Sequence, residues 1–146
     1  MTHPQYDLIL FGATAFVGRL VARHLAHRHG CQGEIRWAIA GRNQTRLEAI
    51  RAELPLEAPE QLPILIADAT DLESLRALCR QTRVMISCVG PYALYGEPLV
   101  RACAETGTDY CDLTGEPQWM KAMADRYCQQ AQISGARIVH ACGFDS

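Results

Sequence analysis

The segment Gly12-Ala-Thr-Ala-Phe-Val-Gly18 places two glycines six residues apart, between an apolar run and a helix-patterned stretch. Glycine at 12 permits a tight turn, and glycine at 18 lets the helix lie close against the preceding strand. The first amides of a helix opening at such a turn have no intrahelical partners, so they suit a phosphate group. Ala13, Thr14, Ala15, Phe16 and Val17 complete this candidate loop. Ala15 stands where the pattern G-x-x-G-x-x-G has its middle glycine, and its methyl narrows the approach to phosphate without closing it. The alternative is a turn that starts a helix and binds nothing.

A second signal is Ala40-Gly41-Arg42-Asn43, at the end of a second apolar run. A carboxylate here would hold the diol of an NAD ribose. Arg42 offers instead a planar guanidinium that suits a 2′-phosphate. Asn43, a good helix cap, adds donors beside it. The expected cofactor is therefore NADP, with NAD less suited, although Arg42 could also be a solvated loop arginine. Asp68, with Ala69 beside it, either contacts an adenine amino group or supports a turn. Cys88, Val89, Gly90 and Tyr92 put mostly small residues where backbone would pass close to a ribose, and Gly90-Pro91 could equally be only a turn. Tyr92, Tyr95 and Glu116 could exchange protons near a nicotinamide, or could be packing and capping residues. No residue is assigned as catalytic. A branched side chain at position 18 is expected to abolish dinucleotide binding while sparing most of the fold.

Other chemistries lack their residues. There is no G-x-x-x-x-G-K-[ST] phosphate loop. The only lysine is Lys121, and Pro117 rather than tyrosine lies four residues before it, so a Tyr-x-x-x-Lys pair is missing. His3, His24, His27, His29 and His140 suggest no hydrolase triad. The seven cysteines form no C-x-x-C pair, so no metal site is expected and a reduced, cytoplasmic chain fits better than a disulfide framework. A net charge of −2 gives no sign of a nucleic-acid or anionic-membrane partner. No apolar run approaches the ~20 residues that span a bilayer, so no transmembrane segment is expected.

These groups need elements to hold them. At 146 residues, 49% hydrophobic and 21% charged, the chain is one globular domain in size. Strands are expected at Tyr6 to Phe11, Ile35 to Ala40, Ile64 to Ala67, Val84 to Val89, Asp109 to Leu113 and Arg137 to Ala141. Helices are expected at Phe16 to His29 with Gly30 following, at Gln44 to Leu54, from a Thr70-Asp-Leu-Glu73 capping box to about Gln81, from an N1-like Pro98 to Gly107, and from Pro117 to about Ile133. Pro55 to Pro63 reads as a surface loop. Six strands alternating with helices predict an α/β, three-layer, doubly wound parallel sheet of the Rossmann type. The expected order is 3-2-1-4-5-6, with ligand at the carboxyl ends near strands 1 and 4.

The glycine segment, Ala40-Gly41-Arg42, Asp68-Ala-Thr-Asp71 and Cys88-Val-Gly-Pro-Tyr-Ala-Leu-Tyr-Gly-Glu-Pro-Leu-Val100 together resemble saccharopine dehydrogenase-like oxidoreductases. The likeness continues through Ala102-Cys-Ala, Gly107-Thr-Asp-Tyr-Cys-Asp-Leu-Thr-Gly-Glu116 and Gly143-Phe-Asp-Ser146, and is greatest to the branch with trans-acting enoyl reductases of bacterial lipid synthesis. The resemblance implies an NAD(P)-dependent oxidoreductase. It also implies that residues 1–146 are the N-terminal cofactor domain of a longer protein, inactive alone, whose further domain takes a small or lipid-like substrate. A homodimer is compatible with it. A non-catalytic, NADP-sensing regulatory module is the alternative.

Overall fold

A computed structural model describes residues 3–143. The six strands are β1 (Tyr6–Phe11), β2 (Trp37–Gly41), β3 (Ile64–Ile66), β4 (Thr82–Ser87), β5 (Asp109–Asp112) and β6 (Ile138–Val139). All pair in parallel, in the order β3-β2-β1-β4-β5-β6. The helices are α1 (Phe16–His29), α2 (Gln44–Glu53), α3 (Leu72–Cys79), α4 (Tyr92–Tyr95), α5 (Glu97–Thr106) and α6 (Pro117–Ser134), with a 3-10 turn at Pro59–Gln61.

A parallel sheet needs crossovers and must be covered on both faces, which is why β1 and β2 carry near-continuous apolar runs, Leu8 to Phe11 and Trp37 to Ala40. Successive side chains divide between two cores. Ile9, Phe11, Ala38, Met85 and Tyr110 pack against Leu75, Leu78, Leu99, Val100, Trp119 and Met123 of α3, α5 and α6. Leu10, Trp37 and Ile39 pack against Ala22, Leu25, Ala26 and Leu47 of α1 and α2. The seven cysteines are free thiols, and among the described residues no helix is long and apolar enough to cross a membrane.

The helix ends follow local chemistry, with one correction. The Asn43 side chain accepts from Arg46 N at 3.1 Å, capping α2. Gly30 closes α1 at φ +63°, and Gly107 closes α5 at φ +76°. The cap of α3, however, is Asp71 rather than Thr70. The Asp71 carboxylate accepts from the amides of Glu73 and Ser74, whereas Thr70 donates both its amide and its hydroxyl to Asp68. A stronger acceptor one residue later displaced the capping box. Pro98 is the second residue of α5, and the four-residue α4, too short to show a period, precedes it.

Strand β6 is only two residues long, and Asp112 anchors the chain beyond it. The Asp112 carboxylate accepts from His140 Nδ1 (2.7 Å), Tyr110 Oη (2.7 Å), Ala141 N (3.0 Å) and Thr114 N (3.1 Å). These bonds pull residues 140 and 141 out of strand geometry, and Ala141 adopts φ +59°. Burial pushes the Asp112 carboxyl up, but the four donors outweigh it and hold it below the usual carboxylate value.

Two outcomes are expected. Asp112 stabilises the fold fully above the ordinary carboxylate value, near about pH 4. That contribution fades as pH falls through the lower folded value. Denaturant melts should therefore show Asp112→Asn less stable by about 3 kcal/mol at pH 7, with the gap narrowing below pH 4. Gly18 is the second case. A Cβ there would lie 2.0 Å from the Gly12 carbonyl oxygen and 2.9 Å from its carbon, against backbone that cannot swing aside. Fold and loop therefore share this contact, and position 18 cannot be changed while the fold is spared. Gly18→Ala should lose at least about 2 kcal/mol of stability, and an unaltered thermal midpoint would refute the packing described.

Candidate functional site

Parallel strands deliver their carboxyl ends to one edge of the sheet, and between β1 and its two neighbours the connections run to opposite faces. There the ends of β1 to β4 enclose a cleft of about 360 Å³. Gly12 and Thr14 form its floor, Arg42, Asn43 and Arg46 one side, and Asp68, Ala69 and Thr70 the next. Val89, Gly90 and Tyr95 complete its lining.

The floor is built by close approach. Gly12 has φ +90°, and a Cβ on it would sit 2.7 Å from the Val89 side chain. Ala15 is the extended residue before α1, and its amide donates to Gly12 O at 3.0 Å. Its φ of −71° suits alanine, so glycine is not required there. No side chain caps α1, which leaves the amides of Phe16, Val17 and Gly18 without an intrahelical acceptor.

Charge is arranged across the cleft. Arg42, Asn43 and Arg46 are exposed, and no carboxylate follows β2. Arg46 was missed in the sequence. Its signal was its place in the first turn behind the Asn43 cap, which sets it beside Arg42. Opposite stands Asp68, whose Oδ1 accepts from Thr70 N (2.8 Å) and Thr70 Oγ1 (2.7 Å). Those bonds, with the facing Arg42, hold the Asp68 carboxyl below its usual value. Its turn-supporting role is real, and Oδ2 makes no hydrogen bond among the described residues.

Not every residue singled out in the sequence lines the cleft. Gly12, Thr14, Arg42, Asn43, Asp68, Ala69, Val89 and Gly90 do. Ala13, Gly18 and Cys88 are buried beneath it, and burial pushes the Cys88 thiol up to about 11. Phe16 and Val17 face outward, Phe16 at 72% exposure beside Arg19, Leu20 and Ile50. Tyr92 is turned into the core. Its hydroxyl donates to Ser87 O at 2.8 Å and accepts from Leu113 N at 3.3 Å, and burial drives its pKa up. Tyr95, by contrast, reaches the cleft. Glu116 is a capping residue, its carboxylate spent on the amides of Tyr92 and Ala93. Among the described residues no group of histidine, cysteine and carboxylate side chains could hold a metal ion.

Comparison with known proteins accords with this geometry. Residues 8–139 match the model of the saccharopine dehydrogenase NADP-binding domain. A provisionally named trans-acting enoyl reductase of Mycobacterium tuberculosis is 51% identical over 145 residues, covering 99% of this chain and 34% of that protein. A trans-acting enoyl reductase of Mycobacterium bovis is 46% identical over 142 residues, covering 97% and 33%. The chain thus spans about a third of the length of these relatives. In fold it is similar to saccharopine dehydrogenase (L-Glu forming) of Saccharomyces cerevisiae, with TM-score 0.74, 18% identity, and coverage of 96% of this chain and 28% of that one. With the parallel sheet and its glycine-floored cleft, the match across residues 8–139 places the chain in the saccharopine dehydrogenase NADP-binding domain family.

Proposed function

We propose that this chain is the cofactor-binding part of an oxidoreductase that uses NADP in preference to NAD, and that the reducible group is an enoyl carbon–carbon double bond. The observation that carries the cofactor reading is the edge after β2, where Arg42 and Arg46 stand on the cleft and no carboxylate does. The enoyl reading is supported by the names of relatives 46–51% identical to this chain. A further domain supplying the substrate site agrees with the greater length of those relatives, and the cytoplasm agrees with seven free thiols.

The residues present fit a dinucleotide. Glycine at 12 leaves the cleft floor without a side chain, glycine at 18 lets α1 start close to that floor, and the uncapped start of α1 directs amide dipoles at the place a pyrophosphate would take. Arg42 and Arg46 would hold a 2′-phosphate by charge-assisted hydrogen bonds, with Asn43 beside them. Asp68 Oδ2 would accept from an adenine amino group. Bound NADPH would supply a hydride to the substrate. The protein's share in this half is binding and orientation, because the described residues on the cleft include no partnered acid–base pair.

Both arginines are exposed, so salt screens their attraction for phosphate. Calorimetric titration should give NADPH an affinity at least about tenfold above NADH, or ~1.4 kcal/mol. That ratio should shrink as ionic strength rises. Arg42→Ala should weaken NADPH several-fold more than NADH. Equal losses for the two cofactors, or a native preference for NADH, would refute the assignment of Arg42.

A further inference from the structure

Helix α4 carries Tyr95 into the cleft, yet nothing intrinsic to so short a segment keeps it in place. One four-residue turn cannot hold itself in water, because fixing its backbone costs more than its few hydrogen bonds return. Its preceding residue, Pro91, offers no side-chain cap. The amides of Tyr92 and Ala93 find their acceptors 24 and 23 residues away, on Glu116. Glu116 Oε2 accepts from Tyr92 N at 2.8 Å, and Oε1 accepts from Ala93 N at 3.1 Å. Thr114 steadies this carboxylate from its own loop. Its hydroxyl donates to Oε2 at 3.4 Å and accepts from Glu116 N at 3.2 Å. The Glu116 carbonyl meanwhile accepts from Met120 N, so one residue opens α6 with its backbone and α4 with its side chain.

The far end of α4 is confined as well. Gly96 N donates to Tyr92 O at 2.7 Å. A Cβ on Gly96 would meet the Trp119 ring at 2.6 Å, so α6 leaves no room for the segment to shift that way. Tyr92 is fixed by its hydroxyl bonds and by the Trp119 ring, 5.4 Å from its own. Tyr95 is the one aromatic side chain of α4 left over. It is 42% exposed, makes no side-chain hydrogen bond among the described residues, and stands on the cleft with Ala69, Thr70, Val89 and Gly90. A flat ring beside small residues, in one cleft with Asp68 and two arginines, is suited to the face of a purine.

We infer that Glu116 is a positioning residue for the cofactor cleft, and that by clamping α4 it fixes Tyr95 as the aromatic wall of the adenine compartment. This rests on the cleft being the dinucleotide site. It assigns Glu116 no proton transfer, and it makes base recognition depend on the β5–α6 connection, which does not itself touch the cleft.

The test is calorimetric titration of the chain with 2′,5′-ADP, which carries the base, the ribose and the 2′-phosphate without the nicotinamide. Tyr95→Ala should weaken binding about tenfold, as loss of one base-stacking ring does, and Tyr95→Phe should restore most of that loss. Glu116→Ala should weaken binding by a similar factor. Because Glu116 acts through Tyr95, the double variant should bind within about twofold of the weaker single variant. Glu116→Gln, which keeps one acceptor oxygen and serves if alanine unfolds the segment, should weaken binding about threefold and shift the amide resonances of Tyr92 and Ala93. A folded Glu116 variant with unchanged affinity would overturn the inference, as would additive losses near a hundredfold in the double variant. Failure of the unsubstituted chain to bind 2′,5′-ADP would overturn the cofactor reading, and this inference with it.

Discussion

The contact between Gly18 and the Gly12 carbonyl is the constraint on which the edge of the sheet is built. Helix α1 begins one residue after the turn that ends β1, and its third residue already lies against that turn's backbone. Only a residue without a Cβ fits. The approach fixes the angle at which α1 leaves the sheet, which lets Ala22, Leu25 and Ala26 reach the core shared with Leu10 and Ile39. It also leaves the first amides of α1 unpaired at the carboxyl edge of β1. The packing of α1 and the placement of its unpaired amides therefore arise from one close approach.

The other half of the sheet is organised by side chains that reach between connections. After β4 the chain enters a segment with little regular structure of its own, and it is held by groups from β5 and beyond. Tyr92 bonds to Ser87 and Leu113, Glu116 takes two of the segment's amides, and the Trp119 ring blocks movement at Gly96. Asp112 does the equivalent for the residues after β6, by accepting four hydrogen bonds at once. A buried carboxylate with four donors stays charged and directional, whereas an apolar side chain there would leave the two amides unsatisfied. The short strands β5 and β6 are thus tied together at their carboxyl ends by polar groups rather than by length.

Electrostatics in the cleft is deliberately open to solvent. Arg42 and Arg46 carry no ion-pair partner among the described residues, while the arginines elsewhere that pair, such as Arg76 with Glu105 and Arg137 with Asp109, are engaged by carboxylates. Unpaired cations on a concave surface keep their donors available, at the cost of a screened and salt-sensitive attraction. Asp68, facing Arg42, offsets part of that charge, and its bonds to Thr70 help hold its carboxyl below the usual value.

Much of this was legible in the chain itself. Apolar runs and 3.6-residue periods located all six strands and five of six helices, and the alternation of the two types called for parallel pairing, from which the order 3-2-1-4-5-6 was expected and is observed. Those are local or topological properties, set by propensity and by the need of each strand for a crossover. Gly12, Arg42, Asn43 and Asp68 could be brought to one cleft from the sequence because each follows a strand end, and strand ends meet at one edge. Tertiary structure alone decided which way side chains point. Tyr92 and Cys88 sit in the right segment yet turn into opposite cores, while Tyr95, three residues on, reaches the cleft. Asp71 rather than Thr70 caps α3, because Thr70 was already committed to Asp68. Glu116 serves residues 23 and 24 positions earlier. A sequence lists such groups without their partners, since the partner of a hydrogen bond is chosen by distance in space, and that distance exists only once the sheet has brought remote connections side by side.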